Sequence, residues 1–201
     1  MMIGGAGSGS GSPMKGHEQQ EAALIDALAG SRMPHAWLLA GPQGVGKSHF
    51  AKRAASFIIA DGDIKVAAGA HHLELSADDA VARLIKAGAH PELLWLAREL
   101  PEGKRPKDGG PGKPEDIARN ITIAQVRSLL ARLRVRPANS RWRVVVVDSV
   151  DDMERGSANA LLKTLEEPPA STIFLLISHM PGRLLPTIRS RCRLLRFQPL
   201  E

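Results

Sequence analysis

Short apolar runs alternate with segments of helical spacing along most of this chain. Glu18–Ala29 sets Ala22, Ala23, Ile25 and Leu28 toward one face, and Gly30 closes it, which predicts a helix. Ala36–Ala40 (AWLLA) is a strand-sized apolar run. Beyond Gly46 the period changes, and Phe50, Ala54, Phe57 and Ile58 share a helical face to about Ala60. Ala77–Lys86 reads as a helix and His90–Ala97 as a strand. Thr122 is placed to cap a helix through Leu133, striped by Ile123, Val126, Leu129, Leu130 and Leu133. Arg143–Val147 is a β-branched run ending at Asp148. A helix over Glu154–Glu166 turns Ala158, Leu161, Leu162 and Leu165 inward, and Pro168 helps to stop it. Thr172–Ile177 reads as a strand, Pro186–Arg191 as a short helix and Arg193–Phe197 as a last strand. Strands that are apolar on both faces need cover on both sides. The alternation therefore predicts an α/β fold of three layers, a parallel five-stranded core sheet flanked by helices.

Two segments fall outside this pattern. Residues 4–12 (GGAGSGSGS) have no side chains to bury, so residues 1–15 are read as a flexible tail, native or added, and residues 16–201 as one domain. Pro101–Pro114 is a polar Pro/Gly-rich loop. The longest aliphatic stretches, such as Val144–Val147 and Ile173–Ile177, are far short of the ~20 residues that cross a bilayer. The N-terminus lacks the basic-then-apolar pattern of a secretion signal. Cys192 is the single cysteine, which excludes an internal disulfide and argues against a thiolate zinc site. His71, His72 and His90 read as ordinary histidines, so no zinc is expected. No membrane partner is expected either, and a reducing cytoplasm suits the composition.

The formal charge of +6 matters less than its distribution. No acid lies between Asp116 and Asp148, where Arg119, Arg127, Arg132, Arg134, Arg136, Arg141 and Arg143 all fall. A second acid-free stretch holds Arg183, Arg189, Arg191, Arg193 and Arg196. Such clusters meet phosphate or an acidic partner surface, or they form a solvated face. With aromatics at 3% and no Tyr, base stacking on aromatic platforms is an unpromising mode of nucleic-acid contact.

One motif carries explicit chemistry. Gly41-Pro42-Gln43-Gly44-Val45-Gly46-Lys47-Ser48 matches G-x-x-x-x-G-K-[ST] in full, between a predicted strand and a predicted helix. Its glycines let successive N–H groups turn toward phosphate oxygens, and the helix start adds its dipole. Lys47 is placed to reach β- and γ-phosphates, and the Ser48 hydroxyl to ligate Mg²⁺. Asp148, ending its strand, suits the metal's acidic partner, with a helix-capping or loop aspartate as the plainer alternative. ATP with Mg²⁺ is the expected cofactor.

Taken in order, GPQGVGKS, VVVVDSVDDM, NALLKTLEEPP (Asn159–Pro169) and TIRSRC (Thr187–Cys192) resemble the bacterial clamp-loader ATPases of the AAA+ superfamily, subunits of DNA polymerase III. Within that family, VDSVDDM and SHMPGRLLPTIRSRC resemble the delta-prime type. The resemblance spans about residues 16–201 and implies a RecA-like P-loop domain that helps to load the sliding clamp onto primed DNA. The implied partners are a gamma/tau-type ATPase, the delta subunit, the sliding clamp and primed DNA contacted without sequence preference. The resemblance makes Arg191, in Ser190-Arg191-Cys192, a finger reaching the ATP site of a neighbouring subunit. It aligns Ser178 with the sensor position, where a hydroxyl bonds the γ-phosphate or the attacking water; a strand-end hydroxyl satisfied by backbone is the plainer reading.

Two departures qualify those implications. Ser149 stands where active relatives carry the Glu that polarises water, and a serine hydroxyl has no useful basicity near neutral pH. Asp151 and Asp152 are expected to point along the following turn. ATP binding with weak or no self-hydrolysis follows, against the alternative of an autonomous P-loop ATPase or DNA motor. The four-cysteine zinc module of many relatives is missing from the region about Asp61–His90, and the family's lid and helical collar would fall past Glu201.

Overall fold

The computed structural model describes residues 16–30, 32–99 and 117–199. The tail over 1–15 and the loop Pro101–Pro114 lie outside the described residues. In chain order the elements are α1 (Glu18–Ala29), β1 (Ala36–Ala40), α2 (Lys47–Ile59), α3 (Gly62–Ala67), α4 (Ala80–Lys86), β2 (Leu93–Ala97) and α5 (Ile123–Arg132). After these come β3 (Arg143–Asp148), a 3-10 turn at Val150–Asp152, α6 (Arg155–Glu166), β4 (Thr172–Ser178), a second 3-10 turn at Pro181–Arg183, α7 (Pro186–Arg189) and β5 (Arg193–Arg196).

The five strands form one parallel sheet in the order β2-β3-β4-β1-β5. Its three central strands are apolar on both sides because helices cover both. The period-two pleat sorts their side chains. Val144 and Val146 join Trp37, Leu39 and Leu175 in a core with Phe50, Phe57 and Ile58 of α2. Val145 and Val147 join Leu38 and Leu176 in a second core with Val126 and Leu129 of α5 and Leu161 and Leu165 of α6. Each such side chain withdrawn from water contributes about 1.5–3 kcal/mol. The edge strands are less covered: Trp95 on β2 and Leu194 on β5 are exposed.

Several boundaries shift for local reasons. α4 starts at Ala80 because the Asp79 carboxylate accepts from Val81 N and Ala82 N, capping the helix there. β2 starts at Leu93 because His90 and Glu92 turn inward: His90 Nδ1 accepts from Glu92 N at 3.2 Å, and Glu92 joins an ion pair. Thr122 and Gln125 form a reciprocal capping box at the start of α5. The helical stretch before β5 closes at Arg189. On α1 the inward face is Glu21, Leu24, Ile25, Ala27 and Leu28, whereas Ala22 faces outward. α3 has no counterpart among the predicted elements.

One network braces the sheet's amino edge. Arg143 Nε donates to Glu92 Oε2 at 2.8 Å, and its Nη1 donates to the carbonyls of Arg132 and Val135 at 2.9 and 2.7 Å. Glu92 Oε1 accepts from Ala138 N at 2.9 Å. Arg143 is therefore a buried structural cation, which removes it from the arginines available to a partner. Arg141 pairs with Asp63 at 2.9 Å. Arg127, Arg132, Arg134 and Arg136 stay exposed on and after α5.

Candidate functional site

The glycine-rich segment lies at the carboxyl edge of the sheet, in the turn from β1 to α2. Gly44 and Gly46 have φ of 85° and 89°, a left-handed backbone that few side chains tolerate. Gly41 is confined differently: a Cβ there would lie 2.2 Å from the Phe197 carbonyl oxygen. α2 begins at Lys47 with no side chain capping its first turn. Free N–H groups and the positive end of a 13-residue helix therefore face the loop. His17, from the leader before α1, is buried against this turn, with its Nε2 donating to the Val45 carbonyl at 2.8 Å.

Lys47 is only 3% exposed. Its ammonium donates to the Gly41 and Pro42 carbonyls at 2.7 and 2.5 Å, folding back across the loop. Burial pushes its pKa below the usual lysine value, against the pull of the Asp151 and Asp148 carboxylates. Ser48 follows it on the first turn of α2, half-buried.

Sheet register gathers the remaining groups. Ala40 pairs with Ser178 and Asp148 with Ile177, so the ends of β1 and β3 flank the end of β4. Strand spacing puts them roughly 10 Å apart. Gly41 N donates to the Ser178 carbonyl at 3.2 Å, joining the loop directly to β4. The loop, Asp148 and Ser178 thus share one edge, where parallel α/β sheets bind ligands.

Asp151 departs from expectation. The turn at Val150–Asp152 carries its carboxylate back over the strand ends instead of along the chain. Oδ1 accepts from the Ser178 hydroxyl at 2.8 Å, and Oδ2 accepts from His179 N at 2.5 Å and from the Ser149 hydroxyl at 3.2 Å. Ser178 is therefore satisfied by a carboxylate, not by backbone. Ser149 is 2% exposed and committed to the same carboxylate. Asp152 does point away, pairing with Arg98 at 3.1 Å. Sequence offered no signal for this, since the contact joins residues 27 positions apart.

Arg191 is not part of this edge. Arg193 pairs with Trp37, and Arg196 with Ala40, so Arg191 lies at the amino end of β5, the opposite edge from the loop. Its Nη1 donates to the Thr187 carbonyl at 2.9 Å, and its Nη2 lies 2.8 Å from Glu166 Oε1 at the end of α6. A third of the side chain remains exposed.

Among the described residues no group of three or more metal-ligating side chains stands together, and no helix is long and apolar enough to cross a membrane.

A family model described as DNA polymerase III, delta subunit, matches residues 16–201. The delta' subunit of DNA polymerase III from Pseudomonas aeruginosa is 36% identical over 171 residues, covering 85% of this chain and 45% of that protein. The delta' subunit from Bacillus subtilis is 30% identical over 89% of this chain and 46% of its own length. The tau subunit from Salmonella typhimurium is 32% identical over 92% of this chain and 25% of its own length. A crystal structure of a gamma subunit-related protein from Thermotoga maritima superposes with a TM-score of 0.54 at 19% identity, over 89% of this chain and 46% of that one. The chain thus spans about half the length of the delta' relatives and less of the tau subunit. With the parallel sheet, the glycine-rich turn and the match across residues 16–201 together, the chain belongs to the DNA polymerase III delta-subunit family, as a member of the delta-prime type.

Proposed function

We propose that this chain acts as the delta-prime subunit of the clamp loader, binding ATP with Mg²⁺ at Gly41–Ser48 and lending Arg191 to the ATP site of a neighbouring gamma/tau-type subunit. The donor set suits that ligand: backbone N–H groups at a helix start, an ammonium, a hydroxyl and a carboxylate, all hard partners for phosphate and Mg²⁺. Gly41, Pro42, Gln43, Gly44, Val45 and Gly46 would wrap the phosphates, Lys47 would meet the β- and γ-oxygens, and Ser48 and Asp148 would hold the metal. Mg²⁺ there neutralises phosphate charge. Ser178, at the end of β4 beside the loop, is the candidate partner for the attacking water. Weak self-hydrolysis is supported by Ser149, a buried hydroxyl that donates to Asp151 and has no spare basicity.

The observation that carries the reading is the separation of loop and finger. Glycine loop and Arg191 occupy opposite edges of one sheet, so Arg191 is turned away from its own loop and toward whatever packs on the amino edge. A guanidinium delivered to a γ-phosphate in trans is worth on the order of 10³–10⁵ in rate. Together with the delta subunit, the ring so formed would open the sliding clamp at primed DNA in the cytoplasm. Exposed Arg127, Arg132, Arg134 and Arg136 support sequence-independent contact with a phosphate backbone.

The test measures nucleotide binding by this chain and ATP turnover by a partner loader assembly. Lys47→Ala should weaken binding at least tenfold. Arg191→Ala should leave binding intact and abolish the stimulation given to the partner. Turnover by this chain alone near that of an active ATPase, lost in Lys47→Ala, would refute the division of roles.

A further inference from the structure

Asp151 lies outside the phosphate loop and the metal pair, yet three donors converge on its two oxygens. They are the Ser178 hydroxyl at 2.8 Å, His179 N at 2.5 Å and the Ser149 hydroxyl at 3.2 Å. The Ser178 residue beneath it is fully buried and accepts the Gly41 amide at its own carbonyl. An ionised carboxylate only accepts hydrogen bonds, and a serine has one hydroxyl proton to give. That proton lies on the bond to Oδ1. What the Ser178 oxygen offers in other directions is lone pairs alone. A phosphate oxygen is likewise an acceptor, so the two cannot bond, whereas a water molecule can donate to Ser178.

We infer that Asp151 is a positioning residue that turns the Ser178 proton away from the phosphate loop, so that Ser178 adds nothing to the site's preference for a third phosphate. The inference rests on reading Gly41–Ser48 as a phosphate site and settles which of two bonds Ser178 makes there. In Asp151→Asn the side-chain oxygen must stay opposite His179 N–H, the one fixed donor. The NH₂ group then faces Ser178 and donates to it, and the hydroxyl proton is driven outward, toward the loop.

The full chain is titrated calorimetrically with Mg-ADP and with Mg²⁺ plus the β,γ-imido analogue of ATP. Ser178→Ala should leave the wild-type ratio of the two affinities unchanged. Asp151→Asn should shift the ratio toward the triphosphate by roughly tenfold, the worth of one hydrogen bond to a charged group. Adding Ser178→Ala to Asp151→Asn should erase that gain, which separates proton direction from simple loss of a negative charge. A tenfold loss of triphosphate affinity in Ser178→Ala alone overturns the inference, and this single variant decides the matter even if Asp151→Asn does not fold. A gain that survives in the double variant overturns it too, as does an unmoved ratio in a folded Asp151→Asn. If the wild-type chain binds neither nucleotide, the phosphate-site reading falls and takes the inference with it; binding with the wrong ratios removes the inference alone.

Discussion

Cys192 sits beside the candidate finger, packed against the second core, and burial pushes its thiol up from the usual 9 to about 12. Below pH 9 the thiol is protonated in native and unfolded chain alike, so it adds no pH dependence. Above pH 9 the unfolded chain sheds the proton while the native one keeps it, and stability falls from there toward pH 12. The thiolate is the reactive form, so a three-unit rise lowers its fraction about a thousandfold. Iodoacetamide at pH 8 should therefore label Cys192 very slowly in the native chain and at an ordinary rate in urea, as followed by mass spectrometry. Fast labelling without denaturant would contradict the packing described for this residue. Single residues also mark where sequence reading stopped. Gly41–Ser48 was plain as a motif because its fixed positions, Gly41, Gly46, Lys47 and Ser48, each have their own chemical reason. Asp151 was not, because its role depends on a tight turn bringing it over a strand that ends 27 residues later in the chain. No local pattern carries that distance.

At the level of elements, the buried pair Glu92–Arg143 ties the start of β2 to β3 and to the stretch after α5. Burial alone would raise the Glu92 pKa, but the hydrogen bonds from Ala138 N and Arg143, with the Arg143 charge, hold it below the usual value. That contribution to stability is present above the unfolded glutamate pKa and lost as pH falls through the folded one. Glu92→Ala leaves the guanidinium buried and unpaired, and should destabilise the fold by roughly 3–5 kcal/mol in urea unfolding at neutral pH. A change under about 1 kcal/mol would mean the pair is solvated. Sequence predicted β1 to β4 because each holds a compact apolar run, and the long helices because their stripes repeat. It overran β2 at His90–Glu92, where an ion pair, invisible to periodicity, pulls the chain inward. It missed α3 because Gly62–Ala67 is too short to show a period and starts from Asp61 in a left-handed conformation with no side-chain cap.

On the scale of the molecule, charge is distributed unevenly. The arginines of the acid-free run divide into two sets: Arg143 is internal and Arg141 paired, while Arg119, Arg127, Arg132, Arg134 and Arg136 are exposed. Affinity for a primed duplex, measured with the assembled loader, should fall steeply with salt. Replacing Arg134 and Arg136 with Ala should flatten the log–log slope by about 0.9 for each phosphate contact removed. An unchanged slope would assign the face to an acidic protein instead. Composition announced these cations but not their partners, since pairing with Glu92 or Asp63 is fixed only once distant strands and helices meet.

If Arg191 serves a neighbour's ATP site as proposed, its position across the sheet from the glycine loop has a geometric corollary. A protomer that receives at one edge and gives at the other cannot satisfy both through a twofold, face-to-face dimer. Its natural contact is heterologous, head to tail, and repetition of such a contact either closes a circle or climbs as a spiral. On that reading the direction of the assembly lies in a single sheet, where β5 runs alongside β1 and in the same sense.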